Sequence, residues 1–149
     1  MDGKRSGFGM VNTEIVDTMV RTAMQAMENA YVPYGKVSIG ACVLASDGTF
    51  YTGCNIENVI PRLSAMAEEV AMYRAVADGK REFDAIAVIA DTKRPFVPNG
   101  AACQLLAEFD VPEIIMADMR GNCKTVTLQE LMPYAREPIE NQQLRWDAK

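Results

Sequence analysis

The sequence predicts an α/β domain, a three-layer α/β/α sandwich around a mixed sheet. Three observations carry this. Two β-prone apolar runs flank an Asp47-Gly48 dipeptide, the pattern of a β-hairpin. Further on, AIAVIA (85–90) and EIIMA (113–117) are continuous apolar runs with a helical stretch between them, as a βαβ crossover with a buried parallel pair requires. Before the hairpin, Val16, Val20, Ala23, Met27 and Ala30 recur at helical spacing.

Taken in order, 12–30 reads as an amphipathic helix capped by Asn12 or Thr13, with Glu14, Asp17, Arg21 and Glu28 on its other faces. YVPYGK (31–36) is a turn-rich break. VSIGACVLAS and TFYTGC form the hairpin, and 55–64 reads as an irregular loop containing Pro61. A helix over about 65–78 is apolar on most sides and stops at Gly79, so it should be largely buried. A short helix over 100–109 joins the two apolar strands, and TLQELMP (127–133) gives a last short helix before a polar tail.

The chain has 149 residues, 49% of them hydrophobic, which suits one domain over 1–149 that buries about two thirds of its unfolded surface. It has no apolar run of 18 residues, and MDGKRSGFGM lacks the features of a signal peptide. A cytoplasmic protein without a membrane partner is expected. The net charge is −5 and the basic residues are scattered singly or in pairs, which argues against a nucleic-acid partner. Cys42, Cys54, Cys103 and Cys123 form no C-x-x-C pair and read as reduced thiols. Histidine is absent, so a general acid or base must be a carboxylate, Lys, Tyr or Cys.

Glu68 is placed in the first turn of the apolar helix, beside Ala71, Met72 and Ala75. A buried carboxylate there is costly unless paired, although first turns also favour solvated acids. GCNIEN (53–58) ends a strand with two amides and a carboxylate, groups suited to sugar hydroxyls and equally suited to turns. PNGAACQ (98–104) frames a helix start with a Pro and a Gly.

Together, GCNIEN, MAE (66–68) and PNGAACQ resemble, in order and spacing, the G-C-N-x-E-N, C-A-E and P-C-G-x-C-R-Q segments of the zinc-dependent cytidine deaminases. YVPYGKVSIGACVL, ADT (90–92) and TLQELMP resemble further motifs of that family, and the likeness covers about 13–135. The resemblance implies a cytidine-deaminase-like fold. It implies that Asn55 and Glu57 hold the ribose, that Ala67 meets the base through its backbone, and that Glu68 shuttles protons. It also implies a homotetramer or dimer. The aromatics that the family places around the nucleoside fall on Val37, Pro61 and Arg136.

The family's three zinc thiolates fall on Met66, Asn99 and Ala102. Sliding the register by one would offer Cys103, at the expense of the match at Gln104 and of a rotation of about 100° on a helix. No metal and no cofactor is therefore expected. Zinc lowers the pKa of bound water from about 15.7 to about 7, roughly 12 kcal/mol as an upper bound, whereas a placed base supplies roughly 3 to 5. The leading expectation is a degenerate site that binds a nucleoside, nucleotide or pyrimidine-like base without zinc-dependent deamination. Asn99 and Glu68 would then form a neutral hydrogen-bonding site. The alternatives are an active deaminase with an unusual metal site and a structural oligomeric partner.

Overall fold

Asn12 starts the first helix: its Oδ1 accepts from the Ile15 N–H at 2.9 Å, and α1 runs Thr13–Met27. The computed structural model describes residues 11–138; MDGKRSGFGM and the polar tail from 139 onward lie outside the described residues. β1 (Ile39–Ala45) and β2 (Phe50–Cys54) form the expected hairpin. Its turn is built by Gly48 at φ 94° and by Asp47 Oδ1, which accepts from the Thr49 N–H at 3.0 Å. The loop after β2 holds a short 3-10 turn at Pro61–Leu63. α2 (Ala67–Ala77) ends where Gly79 takes φ 91°.

β3 (Phe83–Ala90), α3 (Gly100–Glu108) and β4 (Glu113–Asp118) make the crossover, with β3 and β4 parallel. One element was not expected. β5 (Cys123–Thr127) pairs antiparallel with β4 and leads into α4 (Leu128–Leu131). Only Val126 of CKTVT is buried, so this edge strand shows almost none of the alternation that marks a half-buried strand.

The sheet order is β2-β1-β3-β4-β5. α1 covers one face, packing Met19 and Ala23 on a layer that includes Cys42, Ala87 and Ile115. α2 and α3 cover the other, where Met72 and Leu106 meet Val43, Ile86 and Ile114. These are the three layers that the sequence predicts.

Two glycines bring the helices down on the hairpin, one from each face. A Cβ at Gly40 would meet the Ala23 carbonyl carbon of α1 at 3.0 Å, with its oxygen closer still. At Gly53 a Cβ would stand 2.5 Å from the Ala71 nitrogen and closer still to the Ala67 oxygen, both in α2. Backbone cannot swing aside as a side-chain end can. Gly53→Ala is therefore expected to destabilise the domain by at least the roughly 1–3 kcal/mol of core overpacking, lowering the urea midpoint. Gly48→Ala, with open space around it, should cost less.

Candidate functional site

At the end of β2 the chain makes two isolated bridges that gather three distant segments. Ile56 pairs with Tyr31 on one side and with Ala65 on the other. The side chain of Ile56 faces solvent, and those of Asn55 and Glu57 point to the opposite side, onto the 34–39 segment. Asn55 bridges that segment: its Nδ2 donates to the Val37 carbonyl and its Oδ1 accepts from the Ile39 N–H, both at 2.8 Å. Glu57 Oε1 accepts from the Tyr34 and Gly35 N–H groups at 2.9 and 3.0 Å, and Oε2 accepts from Gly35 at 3.1 Å. Both side chains, which the sequence points at a sugar, thus also hold the loop. The spacing i, i+2 put them on one side; that the 34–39 segment lies under them is a tertiary fact.

α2 begins beside this loop. Met66 is its N-cap, and Glu69 Oε1 accepts from the Met66 N–H at 2.9 Å. Ala67 is fully buried, and its N–H belongs to the first-turn donors for which a helix has no carbonyl partner. Glu68 is 2% exposed. Burial pushes its pKa up, and its own backbone N–H offsets part of that rise.

Asn99 is the N-cap of α3. Its Oδ1 accepts from the Ala102 N–H at 2.8 Å, which uses part of the amide as a structural cap and leaves its NH₂. Ala102 is buried and contributes a methyl. Cys103, which a one-residue rotation would turn away from the site, is turned into the protein instead. Its Sγ lies 3.7 Å from the Pro98 carbonyl it donates to, and Glu68 is near enough to raise the thiol, after burial itself. Cys103 is thus a neighbour of the buried carboxylate, a relation that sequence matching did not find.

Of the drifted positions, Val37 is exposed and gives its carbonyl to Asn55, Pro61 opens the 3-10 turn, and Arg136 is held by its backbone. Gln104 makes that hold in both directions: Nε2 donates to the Arg136 carbonyl at 2.7 Å and Oε1 accepts from its N–H at 3.0 Å. A groove of about 1130 Å³ lies beyond this clamp, between the end of α3, α4 and 135–138. Its charged lining residues, Arg81, Glu108, Asp110, Arg136 and Glu137, are all exposed, so it offers no buried acid or base. Glu68, by contrast, is a buried acid.

Residues 13–118 match the family profile of the cytidine and deoxycytidylate deaminase zinc-binding region. The chain belongs to this deaminase family. It is 42% identical over 123 residues to a cytidine deaminase of Sporosarcina psychrophila, covering 80% of this chain and 90% of that protein. A cytidine deaminase of Halalkalibacterium halodurans is 40% identical over 119 residues, covering 78% and 90%. The crystal structure of the Burkholderia pseudomallei cytidine deaminase superposes with a TM-score of 0.78 at 35% identity, covering 80% of this chain and 98% of that one.

These relatives correct the expectation that the protein has no cofactor. The matching profile is that of a zinc-binding region and the relatives are cytidine deaminases, so zinc is the cofactor to expect in this deaminase family. The side chains at the ligand positions nevertheless do not fit the family's way of holding the metal. Met66 offers a thioether, Asn99 a cap amide and Ala102 a methyl, where zinc favours thiolate or imidazole. Among the described residues no three His, Cys, Asp or Glu side chains converge.

Two measurements test this geometry. The folded chain keeps the Glu68 proton to higher pH than the unfolded chain does. The stability this gives is complete below the unfolded pKa and is lost as pH rises through the folded one. Glu68→Gln removes the ionisation, so its Tm relative to the native protein should climb from acid to neutral pH; parallel Tm curves would show that Glu68 is not strained by burial. Gln104→Ala removes both clamp bonds, and hydrogen exchange at Arg136 should quicken while that of β3 stays unchanged.

Proposed function

We propose that this member of the deaminase family takes a cytidine-like nucleoside between the Asn55–Glu57 segment and the first turns of α2 and α3, and hydrolyses its ring C–N bond, a water oxygen taking the place of the amine, which leaves as ammonia. The observation that carries the reading is Glu68, a carboxyl buried at the start of α2 on the family's proton-shuttling position, with its pKa raised by burial. A raised pKa suits a group that must both take and give a proton near neutral pH. In this reading Asn55 and Glu57 hold the sugar, the Ala67 N–H meets the base, and the free NH₂ of Asn99 adds a donor near Glu68. The names of the relatives support the same substrate class. Because the family's ligand positions do not carry its donors, no step is routed here through a metal.

A second reading, binding without turnover, is favoured by one observation: Met66, Asn99 and Ala102 stand on those positions. An assembly of identical copies, tetramer or dimer, belongs to both readings. Tyr31, Tyr34, Val59, Ile60 and Leu63 are exposed apolar side chains, of the kind such copies would cover. No helix among the described residues is long and apolar enough to cross a membrane, and a cytoplasmic location is part of the same proposal.

The deciding experiment measures ammonia release from cytidine and zinc per chain on one sample. Turnover is expected, with Glu68→Ala lowering kcat by about 10²- to 10⁴-fold. Cytidine binding with no ammonia would instead establish the second reading.

A further inference from the structure

Four connections meet the sheet at one end. Cys54 faces Gly40, Ile39 faces Ala90 and Ala90 faces Asp118, so the segment before β1 and the segments after β2, β3 and β4 all meet the strands along one side of the sheet. Two of these connections lead into the starts of α2 and α3, where Glu68 and Asn99 stand.

The same connections carry five exposed cations, Lys36, Arg62, Lys93, Arg94 and Arg120. None of the five gives its side chain to an ion pair or a hydrogen bond among the described residues. Most acids at this end are engaged. Glu57 accepts from the Tyr34 and Gly35 N–H groups, Glu69 from Met66, and Asp118 from Arg120 and Asn122; Glu28 and Asp91 are exposed. The opposite end is the reverse. Asp47, Asp78, Glu82 and Asp110 are exposed in its connections, and the two cations there are committed. Lys80 pairs with Asp47 at 2.6 Å, and Arg81 donates to the Val76 and Lys80 carbonyls at 2.8 Å. A chain of net charge −5 thus gathers positive charge at the end that holds Glu68.

The cations surround the site on two sides. Ile56 is bridged to Tyr31 and to Ala65, which brings the segments bearing Lys36 and Arg62 to either side of Asn55–Glu57. The Phe96 N–H donates to the Ala117 carbonyl at 3.1 Å, which ties the loop bearing Lys93 and Arg94 to the end of β4, beside the turn bearing Arg120. Charge of one sign around a site focuses its field there and concentrates ligands of the other sign. A neutral nucleoside gains nothing from such a rim. A phosphate monoester, with about two negative charges at neutral pH, is what Lys and Arg side chains bind well.

Resting on the nucleoside reading above, we infer that the substrate is a mononucleotide, a cytidine 5′-monophosphate whose phosphate is met by the cations of this rim. With the ring hydroxyls given to Asn55 and Glu57, the 5′ carbon is the position left to carry it.

The test compares cytidine with cytidine 5′-monophosphate on the full chain, reading Kd by calorimetry, or KM if ammonia is released. At low salt the nucleotide should bind about tenfold or more tightly than the nucleoside, the gain of one hydrogen bond to a charged group. In about 1 M KCl, where charges are screened within a few ångström, the ratio should approach one. Lys93→Gln with Arg94→Gln, or Lys36→Gln with Arg62→Gln, should lower the low-salt ratio severalfold; all four side chains are exposed, so the fold should survive. Arg81→Gln, at the opposite end, should leave the ratio as it is. A nucleotide that binds no more tightly than cytidine, a ratio indifferent to salt, or a ratio unchanged in both double variants would overturn the inference while leaving the nucleoside reading intact. So would a short cytidine-containing oligonucleotide that binds more tightly than the mononucleotide, since the phosphate would then belong to a polymer. Failure of both cytidine and its monophosphate to bind would overturn both readings.

Discussion

The first turn of α2 rests directly on the main chain of β2 at Gly53, where Ala67 and Ala71 backbone atoms occupy the space a side chain would need. From that contact the rest of the site follows. A helix seated so closely turns one side of its first turn to the sheet end, and Glu68 is buried there while Glu69 is half-buried. Gly40 makes the equivalent seat for α1 on the opposite face, so the hairpin is gripped from both sides by helix backbone. Small residues here do what larger apolar ones do elsewhere in the core: they set a distance.

Burial and the helix start act on Glu68 in opposite senses. The N-terminal end of a helix favours a carboxylate, and the residue's own N–H lowers its pKa. Desolvation is the larger effect, and the neighbouring Glu69 adds to it, so the pKa rises on balance. Cys103, packed nearby, is raised by its own burial and then by Glu68. Burial disfavours the charged form of both groups, as the low polarity of the surroundings requires.

Around this centre the helix starts hold their shape through their own side chains. Asn99 shows how. A helix start needs an acceptor for its unpaired N–H groups, and the Asn99 side chain caps Ala102 at 2.8 Å. The turn and helix of PNGAACQ are thus stable without help from a ligand. Asn55 and Glu57 likewise fasten the 34–39 segment through their own side chains.

Much of this was legible in the sequence. The hairpin around Asp47-Gly48, the buried helix ending at Gly79, the parallel β3–β4 pair and the family itself follow from turn chemistry, periodicity and motif order, all of which are local or collinear. Glu68, Asn55, Glu57, Ala67 and Asn99 were named from the same motifs. β5 escaped because an exposed edge strand is defined by its partner β4 and carries little pattern of its own. The seating of α2 on Gly53, the approach of Cys103 to Glu68, the room at Gly35 for the Glu57 carboxylate and the Gln104 clamp on Arg136 join residues 14 to 35 positions apart. Sequence spacing has no term for such contacts; they exist only once the sheet order has fixed which segments meet.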